Sequence, residues 1–184
     1  MVDLLDFPID PPDGENVERG GQDFGVFRSR YNGYHAGEDW GLYRRRGPSN
    51  FGVPVYSIGH GLVTYAEPLG WGADKGVIII QHTFPDGSRI HSVYGHLDPP
   101  SVTLDAGDCV KRGERIGAVG QPRTSPHLHF EIRRHLPNAP GPGYWRSDPI
   151  PAGWQPPSSY IWDYRMAASP GVLWTRPSLS LIHI

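Results

Sequence analysis

Apolar positions along this chain come in short runs with a period near two, and no stretch sustains them at helical spacing. GVIIIQHTF (residues 76–84) is a nearly unbroken apolar run of strand length. SRIHSVYGHL (88–97) follows it across Pro85-Asp86-Gly87, so the two predict a β-hairpin. VPVYSIG (53–59) and GLVTYAE (61–67) read as two strands meeting at a tight turn at His60-Gly61. GDCVKRGERIGAVG (107–120) predicts two short strands around Lys111 to Glu114, and HLHFEIR (127–133) a further strand. Upstream, DFGVFRSRYNGYHAGEDWGL (23–42) predicts a short strand and then a structured loop, and RRRGPSN (44–50) an exposed turn. Residues 134–154 are dominated by Pro and Gly and predict a loop, and SSYIWDYRMAA (158–168) a short terminal helix. The succession of short strands predicts a mainly β fold: a single antiparallel sheet or sandwich domain with long loops, not a parallel α/β fold.

Composition sharpens this picture. The 184 residues include 24 Gly and 20 Pro, which break helices and punctuate turns. The longest apolar run is strand-sized, so no membrane-spanning segment is expected. A formal net charge of -2 argues against nucleic acid or a membrane surface as partner, since both favour basic patches. Cys109 is the single cysteine; it allows no internal disulfide and is expected to be a small packed residue near a turn. Residues 1–22 are polar, acidic and Pro-rich and are expected to form a lead-in arm, without the basic start and apolar core of a secretory signal. The main domain is expected over 23–154, with a C-terminal extension over 155–178. The last six residues, LSLIHI (179–184), resemble a translated sequencing adaptor and are set aside, His183 included.

The candidate chemistry lies in the histidines. HAGED places His35 and Asp39 four residues apart, YGHL puts His96 at a strand end, and HLH puts His127 and His129 two apart. Side chains two apart on a strand share a face, so His127 and His129 converge on one place while Phe130 and Ile132 turn to the core. A loop carrying His35 and Asp39 could meet that face. Two imidazoles and a carboxylate suit a catalytic zinc, with three protein ligands and one open position. Two neutral histidines and one aspartate leave a zinc site with net charge near +1, which favours an acidic bound water. There is no HExxH helix, no serine nucleophile elbow, and no cysteine-protease context around Cys109.

Near this pattern, Glu131 lies two beyond His129 and is a candidate partner for an imidazole or a residue of the cleft edge. Tyr94, two before His96, is expected on the same face, as a substrate contact or a packed aromatic. Trp71, in the Gly-rich EPLGWGADKG (67–76), could stack on substrate. His82 is expected to be structural, His60 exposed in a turn, His91 on the face opposite His96, and His135 in a loop.

Together, HAGED, YGHL and SPHLHFEI resemble the signature of the lysostaphin/LytM-type zinc endopeptidases, and the likeness extends over about Gly21 to Ile150. The resemblance implies an antiparallel β-sheet core with a cleft walled by loops. It implies that His35, Asp39 and His129 hold one Zn²⁺ and that His96 and His127 assist catalysis. It also implies a peptidoglycan peptide as substrate, hence an extracytoplasmic location. Ala73-Asp74-Lys75 stands where many members carry an Asn-containing loop, so the bond cleaved is left open. Relatives that have lost metal ligands act as activators or scaffolds; all five positions here keep the family's residue types. A histidine phosphocarrier module, with a related sheet, would not need Asp39.

Overall fold

The computed structural model describes residues 1–15, 17–19, 23–42 and 50–168. The Arg44–Arg46 stretch of the expected exposed turn, and everything beyond residue 168, lie outside the described residues. Strands β1 (Val17–Arg19), β2 (Phe27–Arg28), β3 (Gly33–His35), β4 (Glu38–Leu42), β5 (Pro54–Tyr56) and β6 (Gly61–Glu67) are followed by the long hairpin β7 (Gly76–Thr83) and β8 (Arg89–Leu97). Then come β9 (Cys109–Val110), β10 (Arg115–Ala118), β11 (Leu128–Arg133), β12 (Tyr144–Trp145), β13 (Trp154–Gln155) and the helix α1 (Pro157–Ala168). Among the described residues, one eight-stranded antiparallel sheet runs β1-β4-β11-β8-β7-β6-β9, with β13 also paired to β11. Two small sheets, β10-β5 and β12-β3-β2, lie beside it. The mainly β expectation holds, and so does the hairpin, whose turn is closed by Phe84 N–H to the Ser88 carbonyl at 2.9 Å, with Gly87 at φ +82°.

Alternation decides what each strand buries. On β11, Leu128, Phe130 and Ile132 enter the main core, with Trp40, Ile78, Ile80 and Tyr94. His129, Glu131 and Arg133 alternate with them and take the opposite face, yet are also buried. That face carries a second apolar cluster of Val77, Ile79 and Val93, against which Tyr65 and Trp71 pack. Coverage of both faces explains why β7 is apolar from Val77 to Ile80: a stretch buried on two sides favours an apolar residue at every position.

Several expectations change in the structure. β5 and β6 do not pair across His60-Gly61; β5 pairs with β10, and β6 with β7 and β9. β9 and β10 are distant in sequence from their partners, and local turn chemistry cannot choose them. The segment expected to be a polar lead-in is packed: Val2, Leu5, Phe7 and Ile9 are core residues, and Asp6 N–H bonds the Ile58 carbonyl at 2.8 Å. Its prolines and aspartates set the composition, but four apolar side chains set where it sits. The expected helix is present and closes over this segment, with Trp162 against Phe7 at 5.4 Å. Arg165, buried, donates to the carbonyls of Leu5 and Pro12 and to Asp6. Cys109 is exposed rather than packed, because on β9 it is the neighbouring Val110 that turns inward.

His82 is structural, as expected. It is fully buried, with Nδ1 against the His60 carbonyl at 3.0 Å and Nε2 against Ser92 Oγ at 2.7 Å. Burial pushes its pKa down to about 4. Between that value and the ordinary 6.5 the unfolded chain binds the extra proton, so acidification favours unfolding. Lowering the pH from 7 to 4 is therefore expected to cost about 3 kcal/mol through this ring alone. Urea unfolding across that range checks it: His82→Gln should flatten the slope by this share.

Candidate metal centre

The site is built where strands of two sheets meet. Asp39 on β4 and His129 on β11 are register partners, which puts their side chains side by side. His35 ends β3 in a different sheet, and the two-residue link Ala36-Gly37 turns the chain into β4. His35 and Asp39 therefore lie on two strands around a tight link rather than on a loop. The link must pass close to β11: a Cβ at Gly37 would stand 2.5 Å from the Phe130 carbonyl oxygen and 2.8 Å from His129 Nε2, so glycine is required there. His35 Nε2 lies 3.0 Å from His129 Nδ1 and 3.4 Å from Asp39 Oδ1, and His129 Nδ1 lies 3.2 Å from Asp39 Oδ1.

Those separations fit a metal ion. Zinc–ligand bonds of about 2.0–2.1 Å in a tetrahedron place the ligand atoms about 3.3 Å apart. The donor set, two imidazole nitrogens and one carboxylate oxygen, is one zinc accepts. Behind each histidine stands a carboxylate. Asp23 Oδ1 meets His35 Nδ1 at 2.7 Å and is itself held by Arg28. Glu131 Oε1 meets His129 Nε2 at 3.0 Å, and its other oxygen accepts from Trp154 Nε1 at 2.8 Å and Arg133 Nη1 at 3.2 Å. Such carboxylates orient the rings and raise their basicity.

Electrostatics follow from this packing. Burial works against a charged His129, but hydrogen bonds to Asp39 and Glu131 outweigh it and raise its pKa to about 9. Burial likewise opposes charge on His35, yet Asp23 and Asp39 raise it. Asp39, despite partial burial, is held well below the usual carboxylate range by His129 and His35. The pocket thus attracts a cation, and a metal binding there takes the place of a proton.

His96 and His127 stand beside the cluster, with ring centroids 4.7 Å apart. His127 Nε2 is 3.5 Å from Asp39 Oδ1. Each ring is anchored through Nδ1 on a backbone carbonyl at 2.7 Å, His96 on Asp74 and His127 on Ser125. Donation from Nδ1 leaves the lone pair on Nε2. Burial, with His127 and His129 nearby, pushes the His96 pKa down to about 4. Both rings line a cavity of about 700 Å³ together with Asp39, His129, Trp71 and Tyr144.

His96 reaches the cavity by breaking alternation. Its φ is +61°, in the left-handed region, so it does not follow Tyr94. Tyr94 instead faces the core opposite Phe130, fully buried, and its hydroxyl accepts from the Ile58 N–H at 3.0 Å. Tyr94 is therefore no substrate contact. For the same reason His91 is on the cleft-side face with Val93 and Gly95, beside Arg133, rather than away from it. Glu131 is a partner of His129 and not a cleft-edge residue, being 1% exposed. His135 packs edge-on against Trp154 at 4.2 Å. Trp71 does line the cleft: it lies over Gly95, where a Cβ would meet its ring at 2.1 Å. Asp23 and Tyr144 had no local signal. Tyr144 pairs with His35 across β12 and β3 and stacks on Tyr31 at 4.1 Å.

A model of peptidase family M23 matches residues 35–140. No protein of curated function matches the chain. Among solved structures, the catalytic domain of the antimicrobial peptidase lysostaphin from Staphylococcus simulans is similar at 25% identity and TM-score 0.57, over 79% of this chain and 92% of that one. A zinc-containing peptidase from Vibrio cholerae is similar at 26% identity and TM-score 0.51, over 70% of this chain but only 36% of that one. The catalytic domain of the prophage-encoded M23 protein EnpA from Enterococcus faecalis shares the fold at 24% identity and TM-score 0.53, over 73% and 91%.

Proposed function

Because the chain belongs to peptidase family M23, we propose that it is a zinc-dependent endopeptidase cutting peptide bonds in the stem peptides or cross-bridges of peptidoglycan, outside the cytoplasmic membrane. The observation that carries this reading is the trio His35, Asp39 and His129, whose donor atoms lie 3.0–3.4 Å apart. These residues would hold one Zn²⁺, which when bound supplies Lewis acidity toward water and the scissile carbonyl. The chain's own groups do the rest. Asp23 and Glu131 fix which nitrogen of His35 and His129 faces the cluster. His96 and His127 present Nε2 to the cavity; one, through its lone pair, accepts a proton from the attacking water as general base, and the other, when it carries a proton on Nε2, donates it to the leaving amine or hydrogen-bonds the developing oxyanion. Trp71 and Tyr144 bound the space the peptide would occupy.

The test is metal content and digestion together. About one zinc per purified chain is expected, with release of soluble peptides from purified peptidoglycan and loss of that activity on chelation. Zinc without any hydrolysis, on peptidoglycan and synthetic stem peptides alike, would move the protein to a scaffold or activator role.

A further inference from the structure

Arg133 is the largest cation buried in this half of the molecule, with a side chain 0% exposed. Burying a guanidinium is costly unless its donors are met. Here the Nη1 and Nη2 donors are met, in two directions, while Nε has no partner among the described residues. Nη1 reaches Glu131, the carboxylate behind His129, at 3.2 Å, and the Pro140 carbonyl at 3.2 Å. Nη2 reaches the Leu136 carbonyl at 2.9 Å and also the Ala139 carbonyl. One planar fork thus gathers a stretch of chain that has no regular structure and few other reasons to hold a shape. That stretch runs directly into Pro142 and Gly143, which line the cleft. Trp71 Nε1–H donates to the Gly141 carbonyl at 2.7 Å, and the Trp71 ring stands edge-on to both His96 and His129 at 5.2 Å.

Building on the peptidase reading above, we propose that Arg133 is a positioning residue that fixes the 136–141 segment, and through it Trp71 and the Pro142-Gly143 wall of the cleft, against the metal centre. Its contacts with the segment are to backbone carbonyls, so it holds the shape of the segment whatever the side chains there. Loosening the fork should let Gly141 move and free the indole N–H. A substrate would then meet a wall that must be ordered on binding, and the loss should fall on KM.

The experiment compares wild type with Arg133→Met and Arg133→Lys, each loaded with zinc. In ¹⁵N-labelled protein the Trp71 indole N–H resonance is assigned by its disappearance in Trp71→Phe. Arg133→Met is expected to shift this resonance and speed its exchange with solvent. Its KM for a soluble stem peptide should rise about tenfold, with kcat changed less than about threefold and zinc retained. Arg133→Lys, which keeps the charge but not the fork, should fall between. An unchanged Trp71 resonance, or a loss of zinc and kcat at unchanged KM, would overturn the proposal. Should Arg133→Met not fold, the Arg133→Lys resonance decides. Should the wild type cleave nothing, the peptidase reading fails, while the indole resonance still reports on Arg133.

Discussion

His129→Ala is expected to remove both the metal and the activity, by at least about a thousandfold in kcat/KM, the several kcal/mol that a Lewis-acid metal contributes. The effect should be larger than that of an ordinary ligand deletion because His129 touches everything else in the site. Nδ1 faces His35 and Asp39, while Nε2 is held by Glu131 Oε1, so deletion leaves that buried carboxylate oxygen without its partner. Asp39→Ala should also lose zinc, but with less damage to the fold, since Asp39 is partly exposed. Elemental analysis of each variant, alongside thermal unfolding with and without added zinc, separates the two effects. Wild type should gain stability from zinc, and neither variant should. Full zinc retention in His129→Ala would remove it from the ligand set.

What could be read in the residues and what could not divides along sequence distance. The β7–β8 hairpin and β11 were legible because alternation and turn chemistry are local. The pairings of β5 with β10 and of β6 with β9 were not, because those partners lie roughly fifty to sixty residues away. The clustering of His35, Asp39 and His129 was expected from the family resemblance, and alternation alone accounts for His129 and Phe130 turning apart. Alternation also misled: it placed Tyr94 with His96, and a single left-handed residue at His96 undid that. Asp23 lies twelve residues before His35 in a Gly-rich stretch with no period, so only the folded chain brings its carboxylate to the ring. The first residues show the opposite failure. Composition suggested an arm, whereas Leu5, Phe7 and Ile9 pack with Trp40 and Trp162, because a few well-spaced apolar side chains outweigh many polar ones.

His96→Ala and His127→Ala should behave unlike the ligand variants: each is expected to keep about one zinc per chain and to lose about 10²- to 10⁴-fold in kcat, the usual share of a general acid or base. The anchoring through Nδ1 is the basis. A ring held at 2.7 Å on a carbonyl, His96 on Asp74 and His127 on Ser125, offers its Nε2 lone pair in a fixed direction, and the two rings are close enough to serve one reacting centre. Groups that act as a unit are not additive, so the double variant should be little worse than the poorer single one. The pH profile then assigns the roles. Loss of the base should flatten the acid limb of kcat/KM, and loss of the group that serves the leaving amine should flatten the alkaline limb. His127 has the shorter approach to Asp39, 3.5 Å from Nε2 to Oδ1, and so lies nearer the place where a water would be activated. If zinc is lost along with activity in either variant, that histidine belongs with the ligands and the division of labour between the two pairs does not hold.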